Sequence, residues 1–530
     1  MKKTQSIKDK SQMNESVKSQ RDKVKPVMPK MPFVPVSVDF DFGFSPCEHA
    51  QSKRIKPVGE ETVMDKKEQC ALEKEHCALD LYQERWGTFS TVMMYLIEYV
   101  QQVSITTRKS VSTNLAESYR VLRNMIIAAQ GKSRKNHKGE FTLHFNGNVD
   151  AETFSATFPI IDDDDIDIYN DYIRAAIAAP RILAETTVQQ AVNAWEQLLG
   201  RLLGIKYRLD PQSIASNISV TMADILRADD FKGIKEFFEN KAVKEFLRNS
   251  TEDQLNVLKK ELDVNFVDVF SGNNLKELKE IVLRRHMIVH CDSLVVDDYC
   301  KEIAKLGLPK PQKGKTLLTD VSYATRAWDV IFAAGIIIAH MSCLRHARAL
   351  KSKELERFAN WRIVTSSFDA LKHMRNDAAC LILEYANKIK IQTEWEKLAI
   401  KINLAIAYKR QGENGKMAVV LNEYDWKFAP PEFMVATLAL KGETKKALKA
   451  LFKWCGTDLE NIRKAHEWIV FEDLRKEPEF EQRMAKLRVK GDKELIKIIA
   501  PSVNTNGDGA VRSERLRALF ETAVKYAHKG

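Results

Sequence analysis

The stretch Leu275–Asp292 reads LKELKEIVLRRHMIVHCD. At about 100° per residue, Leu275, Leu278, Ile281, Val282, Ile288 and Val289 fall on one stripe, the period of an amphipathic helix. Arg285 stands in the middle of that stripe, between Val282 and Val289, while Lys276, Glu277 and Glu280 occupy the other side. His286 and His290 lie one turn apart on its flank. A guanidinium inside an apolar stripe is costly unless it is paired or faces a polar groove. The segment therefore predicts a helix that carries one arginine and two histidines toward whatever it packs against.

The same texture extends in both directions and predicts an all-α protein with several domains, as 530 residues suggest. Residues 1–70 read as a basic, proline-rich tail: six of the fifteen prolines lie between Pro26 and Pro57, and such a segment buries too little apolar surface to offset its ordering entropy. Its VDFDFGF string (Val38–Phe44) reads as a docking segment. Residues 71–169 read as an N-terminal helical region. It carries a short β-ribbon near 141–158, where FTLHFNGNVD alternates and Asn146-Gly147 suits a hairpin turn. The acidic run DDDDID (162–167) reads as a solvated loop feeding a helix N-terminus. Residues 170–346 follow as a helical bundle, with a capping-box start expected at Thr251-Glu-Asp-Gln254 and a loop at 309–315.

In 347–530 the pattern Leu404-Ala405-x-x-Tyr408-x-x-x-Gly412 returns thirty residues later as Met434-x-x-x-Leu438-x-x-x-Gly442, followed by Ala447. Small and large residues so spaced, with Gly at the turn, resemble tetratricopeptide repeats.

The composition narrows the class of protein. Hydrophobic residues at 44% leave ample material for packed cores, and 21 Gly with 15 Pro argue against turn-rich β architectures. The net charge of +11 is uneven: residues 1–30 net +6, residues 341–530 net +11, and the body between them nets −6. The eight cysteines never form a Cys-x-x-Cys pair, which excludes a zinc ribbon and a secreted disulfide framework and points to a reducing cytoplasm. The greasiest run, Val330 to Ala339, is half the length a bilayer span needs, so no membrane association is expected.

Two histidines and an arginine suffice to cut RNA without a metal. The 2′-OH attacks the adjacent phosphorus, one group takes its proton, another protonates the leaving 5′ oxygen, and a cation stabilises the phosphorane. His titrates near neutrality and Arg stays charged and grips phosphate oxygens in a fork. The residues Arg285-His286-Met-Ile-Val-His290 resemble the R-x4–6-H signature of the HEPN domains (higher eukaryotes and prokaryotes nucleotide-binding), helical modules of many toxin, abortive-infection and phage-defence ribonucleases. The resemblance covers roughly 170–345, with a polar turn after the motif, then VVDDYCKEIAKLG and a long final helix.

It implies a HEPN bundle, RNA as substrate and a 2′,3′-cyclic phosphate product. It also implies a homodimer with a composite active site, no cofactor or metal, and an activating or neutralising protein partner. Arg285 would orient phosphate and His290 would act as acid/base, with His286, Arg284 and Asp292 in support.

Other readings of the same residues stay open. The histidines form an i,i+4 pair suited to a metal, without an HExxH register or a third ligand. Alternatively Arg285 bridges to Asp292 as a structural pair. Lys313-Gly314-Lys315-Thr316 is no P-loop, since the first glycine is replaced by Pro309, and neither Gly-x-Ser-x-Gly nor Gly-x-Gly-x-x-Gly occurs.

Overall fold

A computed structural model describes residues 71–98, 140–144, 153–157, 164–215, 231–270, 272–391 and 393–503. The tail 1–70, with its aromatic string, lies outside the described residues. The helices are α1 (71–98), α2 (Asp164–Leu209), α3 (Phe231–Leu247), α4 (Thr251–Leu262), α5 (Asn273–His290), α6 (Asp297–Lys305), α7 (Val321–Leu350), α8 (Lys353–Lys372) and α9 (Asn376–Ala386). They continue with α10 (Glu394–Arg410), α11 (Asn414–Asn422), α12 (Pro431–Leu440), α13 (Thr444–Cys455), α14 (Leu459–Glu467) and α15 (Pro478–Val503). The protein is mostly helical. The expected ribbon is present as β1 (Glu140–His144) antiparallel to β2 (Thr153–Thr157), with Glu140 opposite Thr157 and His144 opposite Thr153. Its Asn146-Gly147 turn lies outside the described residues.

Helix α7 organises the fold. Every residue from Ala327 to His340 is buried, because the sequence there is apolar on all sides and the helix must be surrounded. Helices α2, α5, α8 and α9 pack around it, and α1 supplies Phe89, Met93 and Tyr82. Among the described residues α7 is the one helix long and apolar enough to cross a membrane, and its apolar window is buried inside the protein. Asp320 caps its start by accepting from the Tyr323 N–H at 2.7 Å. It ends at Lys351, in the left-handed region at φ 54°, and Ser352 at once caps α8.

Residue 346, the expected end of a domain, therefore falls inside a continuous helix. The apolar core runs unbroken from Ala78 to Met484 because α7 serves the helices on both sides of that position. The acidic run also differs from a pure loop. Helix α2 begins at Asp164, inside that run.

The cap of α4 lies one residue before the expected capping box. Ser250 accepts from the Asp253 N–H at 3.2 Å, so Asp253 rather than Gln254 is the residue three after the cap. Beyond α9 the chain forms helical hairpins: α10 with α11, then α12 with α13. Gly412 and Gly442 end the first helix of each hairpin at φ 77° and 73°, which a side chain would strain.

Candidate functional site

Helix α5 lies between α2 and α7, and its faces differ from the simple stripe. Leu278, Ile281 and Ile288 enter the main core, whereas Met287 joins a second cluster with Val295, Tyr299, Cys300, Ile303 and Leu317. Val289 is exposed, although the stripe assigned it to the core. It sits on the last turn, beyond the reach of α2 and α7, so nothing there covers it.

Arg285 is paired across the helices. Its Nη2 donates to Glu196 Oε2 on α2 and to Asn193 Oδ1 at 3.4 Å, one turn away on the same helix face. Among the described residues only this nitrogen is engaged, and the side chain retains 20% exposure. Burial raises the Glu196 carboxyl, while the charge and hydrogen bond of Arg285 pull it down; the net direction is up. The cost of a cation in the stripe is thus met by a carboxylate 89 residues away, not by Asp292.

His286 and His290 are both exposed, with ring centroids 4.6 Å apart. Partial burial, then the neighbouring His290 and Arg285, push His286 below its ordinary value and favour the neutral ring. One residue past the helix cap, the chain turns sharply. Asp292 and Ser293 both have positive φ, at 47° and 59°. Ser293 Oγ donates to Glu185 Oε1 at 2.8 Å, and its carbonyl accepts from Leu317 N–H at 2.7 Å, which pins the turn to α2 and to the loop before α7. Arg181 Nε donates to the same Glu185 oxygen at 2.8 Å. Asp292 itself is exposed and makes no hydrogen bond or ion pair among the described residues.

Arg284 belongs to a different cluster. Its Nε donates to Glu280 Oε1 at 2.8 Å, its Nη1 to the Leu318 carbonyl at 2.7 Å, and its guanidinium stacks 3.9 Å from the centre of the Tyr323 ring. Glu280 also accepts from the hydroxyls of Tyr299 and Tyr323, and burial pushes both phenols above their ordinary value. These donors are committed to holding α5, α6 and α7 together. The structure therefore assembles Arg285, His286 and His290 at one end of α5, with Asp292 beyond them, and sets Arg284 apart.

Sequence reasoning missed Glu196, Asn193 and Glu185. The available signal was weak: polar residues on the face of α2 away from Trp195 and Leu198, with no spacing rule linking them to a motif some ninety residues on. Among the described residues no group of three His, Cys, Asp or Glu side chains is placed to hold a metal ion. No family model matches the chain, and no curated protein or solved structure matches it either.

Proposed function

We propose that the chain is an endoribonuclease of the HEPN type that cuts RNA by 2′-OH attack to leave a 2′,3′-cyclic phosphate. The observation that carries this reading is the side-by-side exposure of His286 and His290 next to an arginine with uncommitted donors. Arg285, held through Nη2, offers its Nε and Nη1 hydrogens to a phosphate. His290 acts as acid/base. His286, kept neutral, assists in removing the 2′-OH proton. The exposed Val289, Leu294 and Leu318 border this end of α5 and suit a second copy whose own motif would complete the site. The biological setting we propose is that of a regulated toxin or phage-defence effector acting in the cytoplasm, with the tetratricopeptide-like hairpins contacting an activating or neutralising protein.

One observation favours a second reading, a catalytically silent module that binds RNA or nucleotide: Glu196 already occupies part of Arg285. A single experiment separates the two. Labelled RNA is incubated with the full chain in EDTA and the ends are mapped. Cyclic-phosphate ends, lost in Arg285→Ala and His290→Ala, support the nuclease. RNA binding without cleavage at any protein concentration supports the silent module, and cleavage at the parent rate by both variants would falsify the site.

A further inference from the structure

Away from α5, helices α1, α2 and α3 enclose a cleft of about 340 Å³. Three arginines line it: Arg85 from α1, and Arg201 and Arg208 from α2. Their partners are unequal. Arg208 Nε donates across the cleft to both oxygens of Glu239 on α3, at 3.0 and 3.1 Å. Among the described residues Arg85 reaches only Glu84, its neighbour on the same helix, at 3.1 Å. Arg201 makes no hydrogen bond or ion pair among the described residues, although it is half-buried. Two guanidiniums on one concave wall repel each other, and half-burial strips water from both. Glu84 beside Arg85 offsets part of this cost, and an anion in the cleft would offset more of it. Burial, then the charge of Arg85, hold Arg201 below its ordinary value, against an opposing pull from Glu84.

The cleft is narrow because α2 carries Gly200 and Gly204 where α3 crosses. A Cβ at Gly200 would meet Val243 at 3.0 Å, and one at Gly204 would meet Glu239 at 3.0 Å. The amides of Gln197 and Asn240 and the apolar Leu81, Ile205, Val243 and Leu247 complete the lining. A few charged groups set among amides and apolar side chains, in a volume of this size, fit a small molecule rather than a polymer.

We propose that this cleft binds a small phosphorylated metabolite, with Arg85 and Arg201 gripping its phosphoryl group. With Arg85 shared with Glu84 and Arg208 with Glu239, Arg201 brings the charge left over for a phosphoryl group, and guanidinium forks match its oxygens. Gln197 and Asn240 meet the polar remainder of the ligand, and the apolar wall takes its carbon frame. The site is separate from the end of α5. No residue of α5 lines the cleft.

Isothermal titration of the full chain with inorganic phosphate, a sugar phosphate, a nucleoside monophosphate and a dicarboxylate of similar size tests the proposal. Saturable binding of at least one phosphorylated probe below about 10 mM is expected, with the dicarboxylate silent. Arg201→Gln and Arg85→Gln should each weaken binding by about tenfold or more, the loss of a charge-assisted contact. Arg201→Lys should recover part of it. His290→Ala should bind like the parent, so failure of the nuclease reading leaves this result intact. Thermal melting establishes that each variant is folded. No saturation by any phosphorylated probe, equal binding by a folded Arg201→Gln, or preference for the dicarboxylate would overturn the proposal.

Discussion

Helices α5 and α7 each carry an Arg-His dipeptide and a second histidine, and the protein uses the two sets in opposite ways. On α5, His286 and His290 stand exposed and side by side, behind an Arg285 that retains unused donors. On α7, His340 and His346 are buried and each is satisfied by a tyrosine. Tyr385 donates to His340 Nδ1 at 2.8 Å, and the Tyr82 hydroxyl lies 2.7 Å from His346 Nδ1, which also faces the Ser342 carbonyl at 3.2 Å. His340 Nε2 then donates to Asn360 at 3.5 Å. Arg345, the counterpart of Arg285, leans on an exposed Asp263 at 3.2 Å. The residue types are the same, but the histidines are four apart on α5 and six apart on α7. The larger difference is whether neighbouring helices cover the imidazoles, as they do on α7 and not on α5.

The comparison breaks most sharply under substitution. On the nuclease reading, Arg285→Ala and His290→Ala should lower RNA cleavage by about 10²- to 10⁴-fold. His290→Ala should leave the melting temperature almost unchanged, and Arg285→Ala should lower it through the loss of the pair with Glu196. His346→Ala should do the reverse, costing roughly 1–3 kcal/mol in denaturant titrations through the orphaned Tyr82 hydroxyl, with cleavage by the folded fraction intact. An α5 variant that unfolds the protein, or an α7 variant that kills activity while folded, would collapse the distinction.

Acid gives the next largest effect. Burial pushes His340 and His346 down to about 4. A depressed histidine contributes stability that is whole above the unfolded value near 6.5 and is lost as pH falls toward the folded one. Roughly 2 kcal/mol for each should be gone by pH 5. Chemical denaturation at pH 7.5 and pH 5 measures this, and His346→Gln should flatten about half of the dependence. His286 is depressed too, so a cleavage rate that needs its neutral ring should hold below pH 6.5 and fall only further into acid.

Gly335→Ala comes third. A Cβ there would lie 2.2 Å from the Phe89 ring, an overlap expected to cost about 1–3 kcal/mol. The smallest effect belongs to Arg345→Ala, whose exposed partner limits the loss to under about 1 kcal/mol.

The legible part of this molecule was local. Periodicity placed α5 within a few residues, because an amphipathic stripe dictates one kind of burial. Gly412 and Gly442 marked their turns because only the backbone of glycine takes that conformation freely. The unread part was long-range. Glu196 meets Arg285, and Tyr82 meets His346, through packing that no short spacing encodes. The capping residue Ser250 was missed by one position because serine and threonine stand together there and either side chain could cap.

The contact between Phe89 and Gly335 also works as an index mark. Phe89 rests on bare backbone at Gly335 of α7 and stacks with Phe332, ring centroids 6.2 Å apart. Sliding α1 by one turn, about 5.4 Å, would drive the ring into Ile331 or Ala339 instead of the notch. The first described helix is therefore locked in register along the central one, and Arg85, one turn before Phe89, is delivered to the same point of the cleft in every folded copy.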